Sequence, residues 1–146
     1  MANVLATHDV PVVVTHNRDD VDPALDILAD IERFFSRSLE IATRAGIARG
    51  RIVLDPGIGF GKTPEQSLTA IAGLARLRAF GLPLLIGLSR KRFINAVVPS
   101  APQDRLAGSL AGAVLAVLDG AAIVRVHDVA ETVQALRVAA AIRASR

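Results

Sequence analysis

The stretch from Leu54 to Gln66, LDPGIGFGKTPEQ, constrains the fold more than any other, because it hands an apolar strand to a helix across a short glycine-rich loop. Arg51-Ile52-Val53-Leu54 reads as a buried strand, and Asp55 ends it at the point where a side chain leaves the sheet for a cleft. Gly57, Gly59 and Gly61 allow tight turns and close approach of backbone to a ligand. Thr63 suits a helix N-cap, Pro64 the first helical position and Gln66 the reciprocal capping position. A carboxylate at a strand's end beside such a loop is a place to bind something, although Asp55-Pro56 also has a plainer reading as a turn opener.

Spacing removes two phosphate-binding readings of this loop. A P-loop needs four residues between its first glycine and its Gly-Lys pair, and Gly57 and Gly61 enclose only Ile58, Gly59 and Phe60. The dinucleotide fingerprint requires a glycine at position 62, where Lys62 stands.

The same strand-to-helix grammar recurs along the chain. Val10 to Thr15 is a β-branched strand that ends in His16-Asn17-Arg18. Asp22-Pro23 then caps a long helix with an apolar stripe at Leu25, Leu28, Ile31, Phe35, Leu39 and Ala42, closed by Gly46. The helix after Thr63 runs from about Pro64 to Ala79 on Leu68, Ile71, Leu74 and Leu77. Pro83 to Leu88 is a third strand, with Ser89-Arg90-Lys91 at its end. A looser stretch holding Pro99 and Pro102 precedes a helix over 104–119, whose Ala107, Gly108, Ala111 and Gly112 suit close packing. Ala122 to Val126 is the fourth strand, and Asp128 with Glu131 reads as a capping box for the last helix. Strands of continuous apolar character alternating with helices belong in a parallel α/β sheet, whose strands' carboxyl ends lie on one side.

Composition sets the scale and excludes some partners. With 146 residues, 51% of them hydrophobic, the chain is expected to make one domain with a core, or part of one. It has no cysteine, so neither a disulfide framework nor a thiolate metal site is expected, which fits a reducing, cytoplasmic setting. Neither a leader pattern nor an apolar run of the roughly 18 to 20 residues of a membrane span is visible, and no membrane association is expected. The charge of +3 comes from scattered arginines without Tyr or Trp, so a small anionic ligand is expected rather than nucleic acid.

Arg125 and His127, two apart at the fourth strand, point the same way and form a receptor for phosphate oxygens, with Lys91 a point charge on the neighbouring strand's end. Each is singly an ordinary surface cation; converging with Asp55 they make a candidate site.

LDPGIGFGKT, IGLSRKRFI, RLAGSLAGAVLA and IVRVHDVAETV, in this order, closely resemble the dihydropteroate synthases of folate synthesis. That family's fold is a TIM-type barrel of eight strand-helix units, and this chain resembles units five to eight, a half-barrel over residues 1–146. The resemblance implies that Asp55 bonds the pterin ring, that Lys91 contacts the pterin near the aminobenzoate, and that Arg125 and His127 bind the departing diphosphate. Ser89 resembles the serine near the aminobenzoate carboxylate, and Gly59 and Phe60 stand among the substrate-binding positions. Lys91, Arg125 and His127 are the expected catalytic residues. The expected reaction joins 4-aminobenzoate to hydroxymethyl-dihydropterin diphosphate, with magnesium helping to carry the leaving group's charge. The magnesium-linked asparagine and further pterin ligands belong to the first four units, which nothing here resembles. These residues alone are therefore expected to be inactive, as a portion of a longer barrel or a shortened one. Thr15 stands where the family often has methionine. Association into a homo-oligomer is expected from the apolar surplus and the sheet's two edges. Two alternatives stay open: a non-catalytic half-barrel that binds pterin or phosphate, and a pterin-dependent methyltransferase of the same fold.

Overall fold

The computed structural model describes residues 2–8 and 10–145. Its elements in chain order are α1 (Ala2–Thr7), β1 (Val12–Thr15), α2 (Ile27–Arg44), β2 (Ile52–Asp55), α3 (Pro64–Ala72), α4 (Leu74–Leu77), β3 (Leu84–Ile86), α5 (Arg92–Val97), α6 (Leu106–Leu118), β4 (Ala121–Val124) and α7 (Val129–Ala144). The four strands form one parallel sheet in the order β1-β2-β3-β4. No helix among the described residues is long and apolar enough to cross a membrane.

That strand order, with no reversal, decides where a site can lie. Crossovers between parallel strands are right-handed, so an unbroken progression puts its helices on one face of the sheet, as in a barrel and unlike a doubly wound fold. Register and alternation then sort the side chains. Val12, Val14, Ile52, Leu54, Leu84 and Ile86 share the helix-covered face, where Leu54 and Ile86 are completely buried. Val13, Thr15, Val53, Asp55 and Leu85 share the other, and β4 places Ile123 on it beside Leu85. Val13 and Ile123, on the two outer strands, are exposed there.

The core joins Ile31 and Phe35 of α2 to Leu54, Leu74, Leu77, Leu84 and Ile86. Phe35 meets Phe80 edge-on, ring centroids 5.6 Å apart, which ties the turn after α4 to α2. The expected capping box at Thr63 and Gln66 forms, with Pro64 in the first turn.

Several boundaries differ from the sequence reading. Arg51 lies in a 3-10 turn (Arg49–Arg51) before β2 rather than in the strand. The long helix starts at Ile27 on an Asp26 cap, because Asp22 is used in a local turn, accepting from the Ala24 amide. The Pro64–Ala79 helix breaks at Gly73, which packs against Leu28; its buried face runs through Gln66, Ser67, Ala70 and Ile71, and Leu68 is exposed. A short helix, α5, occupies part of the stretch read as loose, and 102–104 form a 3-10 turn before α6. Gly108 and Gly112 do serve close packing, lying against Ile94 and Leu88. Asp128 caps α7 without a side-chain bond to the helix, because its carboxylate is taken by Arg90.

Candidate active site

The site collects where the carboxyl ends of β2, β3 and β4 open on the face away from the helices. Asp55 closes β2 with only 1% of its surface exposed, and both of its carboxylate oxygens are hydrogen-bonded. Oδ1 accepts from the Gly57 amide at 2.8 Å, and Oδ2 accepts from Arg125 Nη2 at 3.1 Å and from the Thr15 hydroxyl at 3.5 Å. Gly57 is required here: its φ is +65°, and a Cβ would overlap the His16 carbonyl oxygen.

Arg125 stands just beyond β4, held in sheet register by its amide, which donates to the Ile86 carbonyl at 2.9 Å. Its guanidinium lies across Gly87, where a Cβ would fall 2.8 Å from Nη2. Gly87 is thus a seat for the arginine, a role the sequence reading did not see. His127 follows with its amide and Nδ1 at 3.3 and 3.0 Å from the Ser89 hydroxyl. Ser89 is buried, and its hydroxyl is spent on orienting His127; a phosphate oxygen would meet the imidazole at Nε2.

Lys91, half-buried, donates to the Ile58 carbonyl and lies 4.7 Å over the Phe60 ring. Burial lowers its pKa, Asp55 opposes that shift, and Arg125 adds to it, so the three charges sense one another. The loop that presents Lys91 is bonded at several points. Arg90 sits at φ +57°, an uncommon conformation for a side chain of its size, and every part of it is tied down. Its amide meets Ser109 Oγ at 2.9 Å, its carbonyl accepts from Arg105 at 3.0 Å, and its guanidinium pairs with Asp128. Phe60 and Gly59 are exposed on the β2–α3 loop, flanking a cavity of about 460 Å³ that Ile58, Lys62, Lys91 and Phe93 also line.

Beside the loop lies a second cluster that sequence reasoning left unread. Lys62 is buried and bonded to His16, which in turn meets Asp30. The sequence signal is the lysine of GKT, whose spacing from Gly57 does not fit a P-loop. Among the described residues no group of three His, Cys, Asp or Glu could hold a metal ion.

A family model described as pterin binding enzyme matches residues 1–127. The chain is 47% identical over 113 residues to the dihydropteroate synthase of Escherichia coli (strain K12), covering 77% of this chain and 40% of that one. It is 39% identical over 138 residues to that of Clostridium beijerinckii, covering 94% of this chain and 51% of the relative. The chain thus spans about half the length of these curated relatives. The solved dihydropteroate synthase of Xanthomonas albilineans with 4-aminobenzoic acid superposes with a TM-score of 0.94 at 42% identity, covering 98% of this chain and 53% of that one.

Proposed function

The chain belongs to the pterin-binding enzyme family, and from that premise we propose that its site serves dihydropteroate synthesis, condensing 4-aminobenzoate with hydroxymethyl-dihydropterin diphosphate. In that reaction the arylamine nitrogen bonds to the pterin's exocyclic methylene carbon, the carbon–oxygen bond to diphosphate breaks with its electron pair on oxygen, and the amine sheds a proton. The barrier lies in charge building on the leaving oxygens. The observation that carries the reading is the Asp55–Arg125 contact at 3.1 Å, which joins a buried acceptor suited to pterin N–H groups to a half-exposed guanidinium suited to phosphate.

Each residue then has a task. Asp55, already fixed by the Gly57 amide, orients the pterin. Arg125, seated on Gly87, and His127, through Nε2, take the diphosphate oxygens. Lys91 stands between the two ends of the substrate, and the Phe60 ring beneath it offers an apolar wall for an aromatic amine. The Xanthomonas albilineans enzyme, solved with 4-aminobenzoic acid, supports that choice of co-substrate. Magnesium is implied by the resemblance alone; among the described residues no group of three His, Cys, Asp or Glu could hold a metal ion, and no step is routed through it. A cytoplasmic setting and self-association belong to the same proposal.

The four strands supply one wall of the site, and turnover requires both substrates held near attack geometry, where a misplacement of about 1 Å already lowers rate on the order of a hundredfold. The expected behaviour of these 146 residues by themselves is therefore diphosphate binding without turnover. The test is calorimetric titration with inorganic diphosphate, beside an assay for dihydropteroate with and without the family's first four units fused ahead of the chain. Absence of diphosphate binding, or equal turnover by short and long chains, counts against the reading.

A further inference from the structure

Lys62, His16 and Asp30 take no part in the chemistry above, yet they form a continuous hydrogen-bonded chain, buried at Lys62 and His16, that ends on the site's own loop. An ammonium carries three protons and no lone pair. Lys62 Nζ has three acceptors: His16 Nδ1 at 2.7 Å, the Gly57 carbonyl at 2.9 Å and the Phe60 carbonyl at 3.1 Å. Because Nδ1 must accept, the imidazole proton sits on Nε2, which donates it to Asp30 Oδ2 at 3.1 Å. Burial, reinforced by the Lys62 charge, disfavours a second proton on His16, so the ring stays neutral. Arg18 at 2.9 Å and Arg33 at 3.1 Å complete the neutralisation of Asp30.

The two carbonyls that Lys62 grips belong to residues whose other groups touch the site. Gly57 gives its amide to Asp55 at 2.8 Å, and the Phe60 ring lies under the Lys91 ammonium. A shift of the loop would move both contacts together. Its shape is already demanding: Gly57 and Gly61 hold φ of +65° and +57°, and a Cβ on either would overlap the His16 or Arg18 carbonyl oxygen.

We propose that Lys62 is a positioning residue: its ammonium, oriented by neutral His16 and by Asp30, clamps the Gly57 and Phe60 carbonyls and thereby sets the poses of Asp55 and Lys91. Its consequence for substrate rests on the pterin-binding role proposed for Asp55; the clamp itself does not. The clamp is also sensitive to alkali. Burial lowers the Lys62 pKa to about 8 against the opposing pull of Asp55 and Asp30, with Lys91 and Arg18 adding to the fall. The groups that face it are His16 and Arg18 after β1, Asp30 on α2, Asp55 on β2 and Lys91 after β3. A neutral amine has two protons for three acceptors, so deprotonation releases at least one of them.

The chain has two lysines, Lys62 and Lys91, and neither tyrosine nor cysteine, so few groups titrate above neutrality. The experiment follows the Lys62 ε-carbon and the Gly57 and Phe60 amides by NMR from pH 6.5 to 9.5, with far-UV circular dichroism as the control for folding. Both amides are expected to shift with the Lys62 midpoint while helicity is constant and the distant Gly50 amide stays still. Titration of Lys62 with Gly57 and Phe60 unmoved overturns the clamp. In Lys62→Met, which keeps an unbranched stem and removes the ammonium, Gly57 amide exchange should accelerate at least tenfold. Affinity for 6-hydroxymethylpterin should fall with it, while inorganic diphosphate binds as before. Unchanged Gly57 exchange in a folded Lys62→Met likewise overturns it, and if that variant does not fold the wild-type titration decides. Accelerated exchange in a chain that binds neither probe supports the clamp and rejects the substrate reading, so the two fail separately.

Discussion

Asp55 and Arg125 meet as carboxylate Oδ2 and guanidinium Nη2 at 3.1 Å across three strands of the sheet, one side chain 1% exposed and the other 53%. The asymmetry is what a ligand can use. The buried member is held by the protein, while the exposed member keeps further N–H groups for an incoming anion.

Replacing Arg125 by Ala removes the fork, and affinity for inorganic diphosphate should drop at least about tenfold, equivalent to about 1.4 kcal/mol. Arg125→Lys keeps a point charge without the planar fork and should fall between the two. Calorimetric titration measures both, and an unchanged affinity in Arg125→Ala would remove the arginine from the site.

Gly87→Ala tests whether the pose of that guanidinium matters, not only its charge. A Cβ would sit 2.8 Å from Nη2, 3.1 Å from Nε and 3.2 Å from Cζ, so the arginine must move although no charge is lost. Diphosphate affinity should fall several-fold with the fold intact by circular dichroism. Gly50→Ala, where a Cβ meets nothing within 4 Å, should bind as the parent does.

Stability should rise with pH in the alkaline range. Lys62 has a folded pKa of about 8, below its ordinary 10.5, so the unfolded chain holds that proton more tightly. Below pH 8 both states carry it and the cost of burying the ammonium is fully present; between pH 8 and 10.5 the native state loses it first and gains stability, on the order of 1–3 kcal/mol. Lys91, also lowered by burial, adds in the same sense. Urea midpoints against pH measure this, and the slope should flatten in Lys62→Met. On the acid side the slope keeps the same sign, through a favourable contribution rather than a relieved cost. Burial raises the Asp30 pKa, but bonds from Arg18, His16 and Arg33 outweigh it and leave it low, so that contribution is lost as pH falls through the folded value.

Sedimentation at micromolar concentration should show self-association. Val13 and Ile123 are exposed on the two outer strands, and Leu115, Leu118, Val133, Val138 and Ile142 are exposed on α6 and α7. Unpaired strand edges and uncovered apolar helix surface both favour contact with another copy. A monodisperse monomer would contradict this.

The parallel sheet and the convergence of Asp55, Lys91 and Arg125 were legible because strands written as unbroken apolar runs put their carboxyl ends on one side. What escaped the sequence depended on competition between partners that only the fold brings together. Asp128 looked like a helix cap, but Arg90 claims its carboxylate across 38 positions. Asp26 supplanted Asp22 as the cap of α2 because the earlier aspartate closes its own turn. Lys62 does not fit the P-loop spacing and so carried no expectation, and the acceptors that hold it inward, His16 Nδ1 and the Gly57 and Phe60 carbonyls, are brought to it only by the folded loop. Gly87 gave no signal at all, since its role is to lack a side chain beneath Arg125.

Because the strands follow one another across the sheet in chain order, each pairing closes a loop of similar length: 40 residues from Val13 to Val53, 30 from Leu54 to Leu84 and 37 from Leu84 to Ala121. Closure entropy grows only with the logarithm of length, so the longest and shortest differ by roughly 0.3 kcal/mol. The kinetics of assembly are then set by what each pairing buries. β3 is buried throughout and β2 nearly so, whereas β1 and β4 each leave residues exposed. Folding should condense on β2 and β3 and grow outward to both sides, so that in pulsed hydrogen exchange the Leu54 amide, bonded to the Pro83 carbonyl, gains protection before the His16 amide that bonds the Asp55 carbonyl.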